Sequence, residues 1–488
     1  MTDQSTPERP ELPDHTVIGG QKVREGELGN LESLDPGTGR MLASLPSCGA
    51  GDIERAVAAA SAALKREWSS LLPRQRGRLL STIGAAIMAE QESLAVVESL
   101  DTGKPLSDAR RSVTRAADYF TYYAGTVDKP FGDAIPLGVG TVSFVERVPL
   151  GVTGHIVPWN VPISTVARSL APALACGNTA VIKPAEDASL SAVLLADLLH
   201  RVGVPPGVVN VVTGFGPIAG QALAEHEGVH HLTFTGSVGT GKRVMAAAAR
   251  HVASVTLELG GKSPQLVLAG ADLDFAARDV TRNAFANAGQ ICSAGSRLLV
   301  ENSIHDEFLE RIAERTEANT VGYGLSDPDV GAIISWQQRE RIAGFVNRAR
   351  DRGLAVVCGG RNVAVPGFET GFYYAPTIVD GVDIDDELSQ EEVFGPVLAI
   401  TTIESLDEGI AIANGTRYGL AAGIHTKDLS SALRFAREVD AGQIYVNGYH
   451  SAGDTVPFGG MKQSGIGREK GVAALDTYSE TKAITITI

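Results

Sequence analysis

Apolar positions repeat with a helical period through the first part of the chain. The spacing predicts helices between Asp52 and about Ala124, with the clearest apolar runs at 53–64, 74–98 and 108–123. Strict alternation of apolar and polar residues in TVSFVERV, at 141–148, predicts a strand instead. The first 15 residues carry no such period and are expected to be loosely attached.

Between Gly151 and Gly260, short β-branched runs alternate with helical segments. The predicted strands are VTGHIV, TAVI, VVNVV, HLTFT and SVTLEL, and the predicted helices are 163–176, 189–200, 217–226 and 239–251. Strand, helix and strand in this order require right-handed crossovers, which predicts a parallel sheet covered on both faces. Five such strands are typical of a Rossmann-type nucleotide-binding domain.

The alternation restarts after Lys262 and predicts a second α/β domain of similar size. Helical segments at 273–287 and 305–319 alternate with the extended runs RLLV, AVVC, VLAITT, GLAAGI and QIYVN. The chain ends on AITITI, whose alternation predicts a strand. Because a lone strand is not stable, it must pair with TVSFVERV, with a neighbouring subunit, or with both, which favours an oligomer.

Composition and charge narrow the class of protein. The chain has 488 residues, 44% of them hydrophobic, which suits two or three domains with large cores. A net charge of −15 argues against nucleic acid or an anionic membrane surface as the main partner. No stretch approaches the roughly 18 apolar residues of a membrane span, and the polar N-terminus lacks a basic-then-apolar signal pattern. We expect a soluble, cytoplasmic enzyme.

The four cysteines include one in an unusual setting. None lies in a CxxC pair, so neither a disulfide scaffold nor a thiolate metal site is expected. Cys48, Cys176 and Cys358 fit the usual interpretation of buried structural residues. Cys292 lies between NAGQI and SAGS, whose mostly small or polar residues leave room around its side chain. Substrate could reach such a cysteine, and a nearby positive charge or helix terminus would favour its thiolate.

Two polar residues stand in mostly apolar surroundings. Glu258 lies in TLEL, where partial burial would raise its pKa toward the value that a general base needs; the alternative is a charge that is solvated or paired with Lys262. Asn160, in GHIVPWNVP, follows the first parallel strand, at the sheet edge where ligands bind. Its amide could donate to an oxyanion, or the residue could cap the following helix.

Residues after other strands point to contacts with a dinucleotide. The segment GSVGTG, at 236–241, opens a helix, so its backbone could approach a pyrophosphate, although it is not the GxGxxG fingerprint. Lys183 and Glu186 follow the second strand. Lys183 could bind ribose or phosphate and Glu186 a ribose 2′-hydroxyl, while either alone could be a solvated loop charge.

Together these residues resemble the aldehyde dehydrogenase superfamily. Seven strings occur in the order of that family: PWNVP, KPAE, FTGSVGTG, LELGGK, GQICSAG, EEVFGP and PFGGMKQSG. The resemblance extends from Asp35 to the C-terminal strand. It implies an NAD-binding domain at 1–126 and 149–259, a catalytic domain at 260–455, and a small β oligomerisation arm with bridging segments at 127–148 and 456–488.

The resemblance also implies a role for each candidate residue. Cys292 would attack the aldehyde carbonyl, and the Asn160 amide with the Cys292 backbone N–H would hold the oxyanion. Hydride transfer to the nicotinamide would leave a thioester, which Glu258 would hydrolyse by activating water. The presence of Glu258 argues against a CoA-acylating relative, and the presence of all three residues argues against a non-catalytic, ligand-binding member.

For the cofactor, the resemblance places Lys183 and Glu186 at the adenosine ribose and Glu392 at the nicotinamide ribose, with Phe394 near the ring. Because a carboxylate repels a 2′-phosphate, Glu186 favours NAD over NADP. The other residues expected at the dinucleotide are Pro158, Trp159, Gly216, Gly220, Phe234, Gly236, Ser237, Leu259 and Gly260.

Arg168 is the most informative of the residues expected at the substrate tunnel, since it could meet a carboxylate or an aromatic ring; the alternative is a structural ion pair on its helix. Semialdehyde enzymes with two arginines place the second one six residues before the cysteine, where this chain has Ala286, so a two-arginine clamp is not expected. An aromatic or medium apolar aldehyde is the expected substrate, a succinate-semialdehyde-like reaction is the alternative, and a homodimer or homotetramer is the expected assembly. The other tunnel residues are Ile291, Ser293, Tyr449 and His450.

Overall fold

The computed structural model describes residues 10–451 and 453–488. Of the 15 residues predicted to be loosely attached, 1–9 lie outside the described residues. The prediction is wrong for the end of that segment, because His15 is buried and its Nε2 lies 3.1 Å from a carboxylate oxygen of Asp197. This contact fixes the point where the chain enters the first strand.

The fold is built from short strands and longer helices in mixed order. The described strands are β1 Thr16–Ile18, β2 Gln21–Val23, β3 Asn30–Asp35, β4 Arg40–Pro46, β5 Ala134–Ile135, β6 Thr141–Pro149, β7 Val152–Val157, β8 Thr179–Pro184, β9 Val209–Val211, β10 His231–Thr235, β11 Ser254–Glu258, β12 Pro264–Val267, β13 Arg297–Glu301, β14 Ala355–Cys358, β15 Thr377–Asp380, β16 Val397–Ile403, β17 Ala421–His425, β18 Gln443–Val446, β19 Gly465–Ile466 and β20 Ser479–Thr487.

The described α-helices are α1 Ala50–Ala63, α2 Pro73–Ala89, α3 Gln91–Thr102, α4 Leu106–Ala124, α5 Pro162–Ala175, α6 Leu190–Arg201, α7 Gln221–Glu225, α8 Val238–Ala248, α9 Leu273–Phe285, α10 His305–Glu317, α11 Trp336–Asp351, α12 Glu387–Gln390, α13 Leu406–Asn414, α14 Leu429–Glu438 and α15 Ala473–Thr477. Short π-helical segments follow α1 and precede α7, at Leu64–Trp68 and Gly216–Gly220. The 3₁₀ turns are Ala286–Gly289, Asn302–Ile304, Gly324–Ser326 and Lys462–Ser464.

The first large sheet contains all five strands predicted between Gly151 and Gly260. Its order is β19-β11-β10-β7-β8-β9-β1-β2, and β7 to β11 are parallel. Antiparallel β1 and β2 extend one edge, and β19 pairs antiparallel with β11 at the other. The expected α/β class with a Rossmann-type parallel sheet is confirmed.

Helix α5 is buried along its whole length between this sheet and α4. Its sequence, PISTVARSLAPALA, combines small and apolar residues, so its neighbours can pack closely on every side. Pro162 stands in the first turn, where a missing N–H breaks no helical hydrogen bond. His155 of β7 contacts the Ser169 hydroxyl across 2.9 Å and ties the helix to the sheet. The loop between β7 and α5 is therefore fixed at both ends.

The second large sheet carries the predicted second α/β unit. Its order is β14-β15-β16-β13-β12-β17-β18, and every pairing is parallel except that of β14 with β15. The predicted run AVVC is thus an antiparallel edge strand, which suits its half-exposed side chains. Helices α9, α10 and α11 pack over β13 to β16 through one apolar core.

A three-stranded sheet forms an arm beside the two large sheets. Strand β20 pairs antiparallel with β6 along nine residues, with Ile484 opposite Phe144, and β5 adds a short third strand. The prediction that the terminal strand pairs with TVSFVERV is confirmed. Among the residues that the structure describes, none of the helices has the length and apolar composition needed to cross a membrane.

The candidate site residues lie where parallel strands of the first sheet end. Asn160 follows β7, Glu186 follows β8, Gly236 follows β10, and Glu258 is the last residue of β11. Since these strands are parallel neighbours, their carboxyl ends meet at one edge of the sheet. The topology therefore brings together residues that are far apart in the sequence.

Candidate active site

Asn160 is buried in the loop between β7 and α5. Its Nδ2 donates to the backbone carbonyl of Gln290 at 2.8 Å. Its own backbone carbonyl accepts from Lys104 Nζ at 2.9 Å and from Asn287 Nδ2 at 3.1 Å. These contacts hold Asn160 against the segment that leads to Cys292 and leave one amide hydrogen for another acceptor. The alternative that Asn160 caps α5 is wrong, because Val161 occupies the cap position.

Cys292 follows a tight turn and is half-buried. Asn287 and Ala288 adopt left-handed backbone conformations with φ of 50° and 55°, which non-glycine residues rarely do. Gly289 lies so close to the Gly395 carbonyl that a side chain would not fit. On the other side, a Cβ at Gly261 would lie 2.7 Å from the Cys292 carbonyl oxygen. The strings GQICSAG and LELGGK thus pack against each other.

Glu258 is a buried carboxylate, with 2% of its surface exposed. No described residue donates a hydrogen bond to either of its carboxylate oxygens. Burial, reinforced by the Glu469 carboxylate, raises the pKa of Glu258 well above its usual value. The alternative of pairing with Lys262 is not realised, since Lys262 Nζ is also without a hydrogen-bond partner among the described residues.

Burial raises the pKa of the Cys292 thiol to about 11. The Arg168 cation lowers this pKa, whereas the Glu392 and Glu258 carboxylates raise it. The positive charge expected near the thiol is therefore present, but burial outweighs it. A base must remove the thiol proton before Cys292 can act as a nucleophile at neutral pH, and Glu258 is a base within electrostatic reach.

Arg168 does not present a free cation to a substrate. Its guanidinium forms an ion pair with Glu469 and donates to the Thr235 hydroxyl at 3.1 Å, and it lies 5.6 Å from the centre of the Phe458 ring. Burial lowers the pKa of Arg168, but Glu469, Tyr119, Glu258 and Cys292 together outweigh it and raise the pKa. This corrects the expectation of a guanidinium available for a substrate carboxylate. The ion-pair alternative is realised, with a partner from the C-terminal segment.

Ser293, Tyr449 and His450 form a hydrogen-bonded cluster next to Cys292. The Ser293 hydroxyl lies 2.9 Å from His450 Nε2, and the Tyr449 hydroxyl donates to the Ser293 carbonyl at 3.0 Å. The rings of Tyr445, Tyr449 and His450 pack with centroids 4.7 to 5.8 Å apart. Burial lowers the pKa of His450 to about 4, so its ring is neutral at neutral pH. Half-buried Ile291 precedes the cysteine.

Lys183, Glu186, Gly216 and Gly220 lie together beyond β8. Lys183 Nζ contacts a Glu186 carboxylate oxygen at 2.7 Å, and the Gly216 N–H donates to the same carboxylate at 3.2 Å. Burial raises the pKa of Glu186, but the Lys183 ammonium and backbone N–H groups, including that of Gly216, together outweigh it and lower the pKa. Side chains at Gly216 and Gly220 would begin 3.7 and 3.9 Å from the Glu186 and Lys183 side chains. Lys183 is buried in this group, and Glu186 is partly exposed.

Phe234, Gly236, Ser237 and Leu259 surround the start of α8. The Gly236 N–H donates to the Glu258 backbone carbonyl at 3.0 Å, and the Phe234 ring occupies the place where a Gly236 side chain would be. Ser237 caps α8 by accepting from the Thr240 N–H at 3.3 Å. Leu259 packs where a side chain at Gly241 would be. The helix N-terminus is thus held next to the strand that ends in Glu258.

Trp159, Gly260, Glu392 and Phe394 form a further group near the cysteine. The rings of Trp159 and Phe394 pack edge to face at 5.2 Å, next to half-exposed Pro158. The Gly261 N–H donates to Glu392 at 3.2 Å, and the Glu392 carboxylate fills the space where a Gly260 side chain would be. Burial raises the pKa of Glu392 to about 7. The expected cofactor residues therefore form three groups along the edge of the first sheet.

Comparison with known proteins shows the family of this chain. A sequence profile described as "Aldehyde dehydrogenase family" matches residues 23–484. The chain belongs to the aldehyde dehydrogenase family. One curated member, an aldehyde dehydrogenase of Aspergillus niger, is 39% identical over 476 residues, which cover 97% of this chain and 95% of that protein.

Solved aldehyde dehydrogenase structures share the whole fold. An NAD-dependent aldehyde dehydrogenase from Sinorhizobium meliloti is 38% identical, with a TM-score of 0.94 over 97% of this chain and 94% of that one. A betaine aldehyde dehydrogenase from Staphylococcus aureus, solved in complex with NAD⁺, is 34% identical, with a TM-score of 0.95 over 98% and 95% of the two chains. The family's enzymatic class, NAD(P)-dependent aldehyde oxidation, follows for this chain.

In this aldehyde dehydrogenase, several residues of the site were not predicted. Lys104 and Glu98 form a buried ion pair at 3.0 Å, and Lys104 supports the Asn160 carbonyl. Glu469 pairs with Arg168, and its charge raises the pKa of Glu258. A paired role for Glu98 could have been predicted, because an acidic residue within an apolar stretch of helix is expected to be paired. Lys104 and Glu469 lie in short polar loops, where single charges carry no such signal.

Proposed function

We propose that this protein oxidises an aldehyde to the carboxylic acid through a thioester on Cys292, with NAD as the hydride acceptor. The observation that carries the proposal is the setting of Cys292. The backbone of the segment that carries this half-buried residue contacts the Asn160 amide on one side and the LELGGK segment on the other. LELGGK contains Glu258, a buried carboxylate that accepts no hydrogen bond from the described residues. Such a grouping supplies a nucleophile, an oxyanion donor and a general base.

In the proposed reaction, Glu258 takes the proton from the Cys292 thiol, and the thiolate attacks the aldehyde carbon. The remaining Asn160 amide hydrogen and the Cys292 backbone N–H donate to the resulting oxyanion. When bound, the nicotinamide ring supplies the hydride-accepting chemistry. Glu258 first releases the thiol proton to solvent and then takes a proton from water as that water attacks the thioester; the C–S bond breaks, which frees the acid and the Cys292 thiolate. The raised pKa of Glu258 makes it a stronger base than a solvated carboxylate.

The residues present fit a dinucleotide along the edge of the first sheet. Lys183 and Glu186 would bind the adenosine ribose, since their ion pair lies at the carboxyl end of β8 next to Gly216 and Gly220. Glu392 would bind the nicotinamide ribose next to the Trp159–Phe394 ring pair. The expected dinucleotide contacts at Pro158, Phe234, Gly236, Ser237, Leu259 and Gly260 fall between these ends. Because Glu186 would face a 2′-phosphate, we propose a preference for NAD over NADP.

For the substrate, we propose an aldehyde whose carbonyl carbon is attached to an aromatic or apolar group. The neutral cluster of Tyr445, Tyr449 and His450 next to Ser293 supports this class, because it offers rings and no net charge beside the cysteine. A succinate-semialdehyde-like reaction that relies on Arg168 is disfavoured by its ion pair with Glu469. A non-catalytic role is disfavoured because all three proposed catalytic residues are retained.

We further propose the domain boundaries that the sequence suggests: 1–126 with 149–259, 260–455, and the arm and bridging segments 127–148 with 456–488. The pairing of β20 with β6, and of β19 with β11, supports bridging by the C-terminal segment. Apolar side chains at Val142, Ile486 and Ile488 are exposed on the arm, which supports a homodimer or homotetramer. Four free cysteines support a reducing, cytoplasmic location.

The test is a rate measurement with NAD or NADP and aldehydes that differ in their tails. We expect reduced nicotinamide to accumulate with aromatic and medium-chain aldehydes, faster with NAD, and without added CoA. Production of reduced nicotinamide only when CoA is present would contradict hydrolysis by Glu258. No oxidation of any aldehyde by the folded protein would contradict the proposed function itself.

A further inference from the structure

A cleft lined by arginines lies beside the proposed active site. Its volume is about 340 Å³, within the roughly 300–1,000 Å³ of small-molecule sites. Helices α4, α9 and α10 form its walls. The charged residues that line it are Arg111, Arg278, Arg282, Arg315, Asp108 and Asp329. We call this cavity the arginine cleft.

The cations of the arginine cleft exceed its anions. Arg111 pairs with Asp108, and Asp329 accepts hydrogen bonds from the Thr320 N–H and hydroxyl at 2.9 and 2.7 Å. By contrast, Arg278, Arg282 and Arg315 have no carboxylate within 4.0 Å in the part of the chain that the structure describes; Arg278 lies over the Phe275 ring. Four arginines against two aspartates leave a net charge of +2 in a chain whose net charge is −15.

Like charges face one another in the arginine cleft, whereas some other arginines of the second domain have carboxylate partners. Arg311, Arg348 and Arg417 each pair with one or two carboxylates on its surface. In the cleft, Arg278 and Arg282 stand four residues apart on α9, so two like charges share one helix face, an arrangement that weakens a helix. Partial burial and the facing Arg282 cation lower the pKa of Arg111. An anion would relieve this repulsion.

The arginine cleft is connected to the segment that carries Cys292. Phe285 and Ala286 line it, and the next residue, Asn287, donates to the Asn160 carbonyl at 3.1 Å. On the opposite wall, Arg115 lies one turn of α4 beyond Arg111, and its charge lowers the pKa of His450. The small side chain of Ala286 therefore stands between the arginines and the proposed catalytic residues.

We propose that the arginine cleft binds an anionic group, a carboxylate or a phosphate, at the far end of the aldehyde substrate. The proposal rests on the proposed function. Guanidinium groups bind both anions through paired N–H donors, and a local positive field in an acidic protein raises the concentration of anionic substrate at the entrance. The aldehyde end would meet the neutral aromatic cluster, and the anionic end the arginines.

The test uses the variant Arg278→Gln/Arg282→Gln and two straight-chain aldehydes of equal length, one ending in methyl and one in carboxylate. We expect the variant to lose about tenfold in kcat/KM on the carboxylate-ended aldehyde through KM, and less than twofold on the methyl-ended one. Arg434→Gln, which removes a paired surface arginine on α14, should change neither. Equal losses on both aldehydes, or no loss, would overturn the proposal.

A second arm separates a substrate tail from a free anion. A dicarboxylate of the same length should compete with the carboxylate-ended aldehyde, and less so in the variant. If inorganic phosphate instead changes kcat for the methyl-ended aldehyde, the cleft is an effector site and the proposal is wrong. If the wild-type protein oxidises no aldehyde, the proposed function has failed; calorimetric binding of the dicarboxylate to wild type but not to the variant would still support the cleft, and equal binding would refute it.

Discussion

Replacing Asn160 by Ala tests the proposed oxyanion site most directly. The side chain has two amide hydrogens, and one is donated to the Gln290 carbonyl at 2.8 Å. One hydrogen therefore remains for an oxyanion, and Asn160→Ala removes a single donor. Such a donor contributes about 3–4 kcal/mol of transition-state stabilisation. Since 1.4 kcal/mol is about tenfold, we expect kcat to fall by about 10²- to 10³-fold.

The structural cost of the same change is expected to be small. The backbone carbonyl of residue 160 still accepts from Lys104 and Asn287, so the loop keeps its anchors. The Gln290 carbonyl loses its bond from residue 160 but keeps a longer one from Asn287 Nδ2 at 3.4 Å. One lost neutral hydrogen bond costs about 1 kcal/mol of folding free energy, which is well below the expected catalytic effect.

The assay combines steady-state rates with the rate at which iodoacetamide alkylates Cys292. The alkylation rate depends on the reactivity of the thiol and on its base, and the reaction forms no oxyanion. We expect Asn160→Ala to lose activity while alkylation stays within about twofold, since only the first process uses the amide. A loss in kcat of less than fivefold, or an equal fall in the alkylation rate, would refute the reasoning and assign Asn160 to loop support.

Further predictions concern the other buried groups. Cys292→Ala should abolish oxidation and leave NAD binding unchanged by calorimetry; normal turnover would exclude Cys292 as the nucleophile. Glu258→Gln should release at most one equivalent of reduced nicotinamide per site before stalling as the thioester, and steady turnover would point to another base. Because the pKa of Glu258 is raised and that of Cys292 is raised to about 11, alkylation of Cys292 should accelerate as the pH increases above 7; a flat profile would contradict both shifts. Arg168→Met should destabilise the fold by about 3–5 kcal/mol by leaving Glu469 buried without its cation, and adding Glu469→Gln should restore part of the thermal stability.

Much of the fold could be predicted because its strands have distinct local patterns. The five central strands of the first sheet are short β-branched runs between helices, and AITITI alternates along its whole length. Strands β1, β2 and β19 were missed because each has only two or three residues. Such strands form because a neighbouring edge offers partners, as β11 does for β19, where Leu257 pairs with Ile466. That information lies in tertiary structure and not in local sequence.

In the candidate site too, some features could be predicted from local sequence and others depend on tertiary structure. Cys292, Glu258 and Asn160 stand out locally, since each is polar or reactive in small or apolar surroundings. The ion-pair partner of Arg168 could not be predicted, because Glu469 is 301 positions further along the chain in a loop without regular pattern. Likewise, the sequence shows Ala286 six residues before Cys292, but it does not show that Arg282 and Arg278 line a cleft next to Ala286.

The ion pair of Arg168 connects these observations to the chemistry. Two buried carboxylates, Glu258 and Glu469, act on each other, and like charges in a buried site cannot both ionise easily. The guanidinium contacts Glu469 and not Glu258, so it favours ionisation of Glu469. Burial nevertheless keeps the pKa of Glu469 above its usual value. When Glu469 is ionised, its charge raises the pKa of Glu258, while the more distant Arg168 charge limits that rise. A carboxylate with an ordinary pKa would be too weak a base for a thiol whose pKa is about 11. Arg168 therefore acts on the reaction through the two carboxylates, which leaves recognition of an anionic tail to arginines outside this cluster.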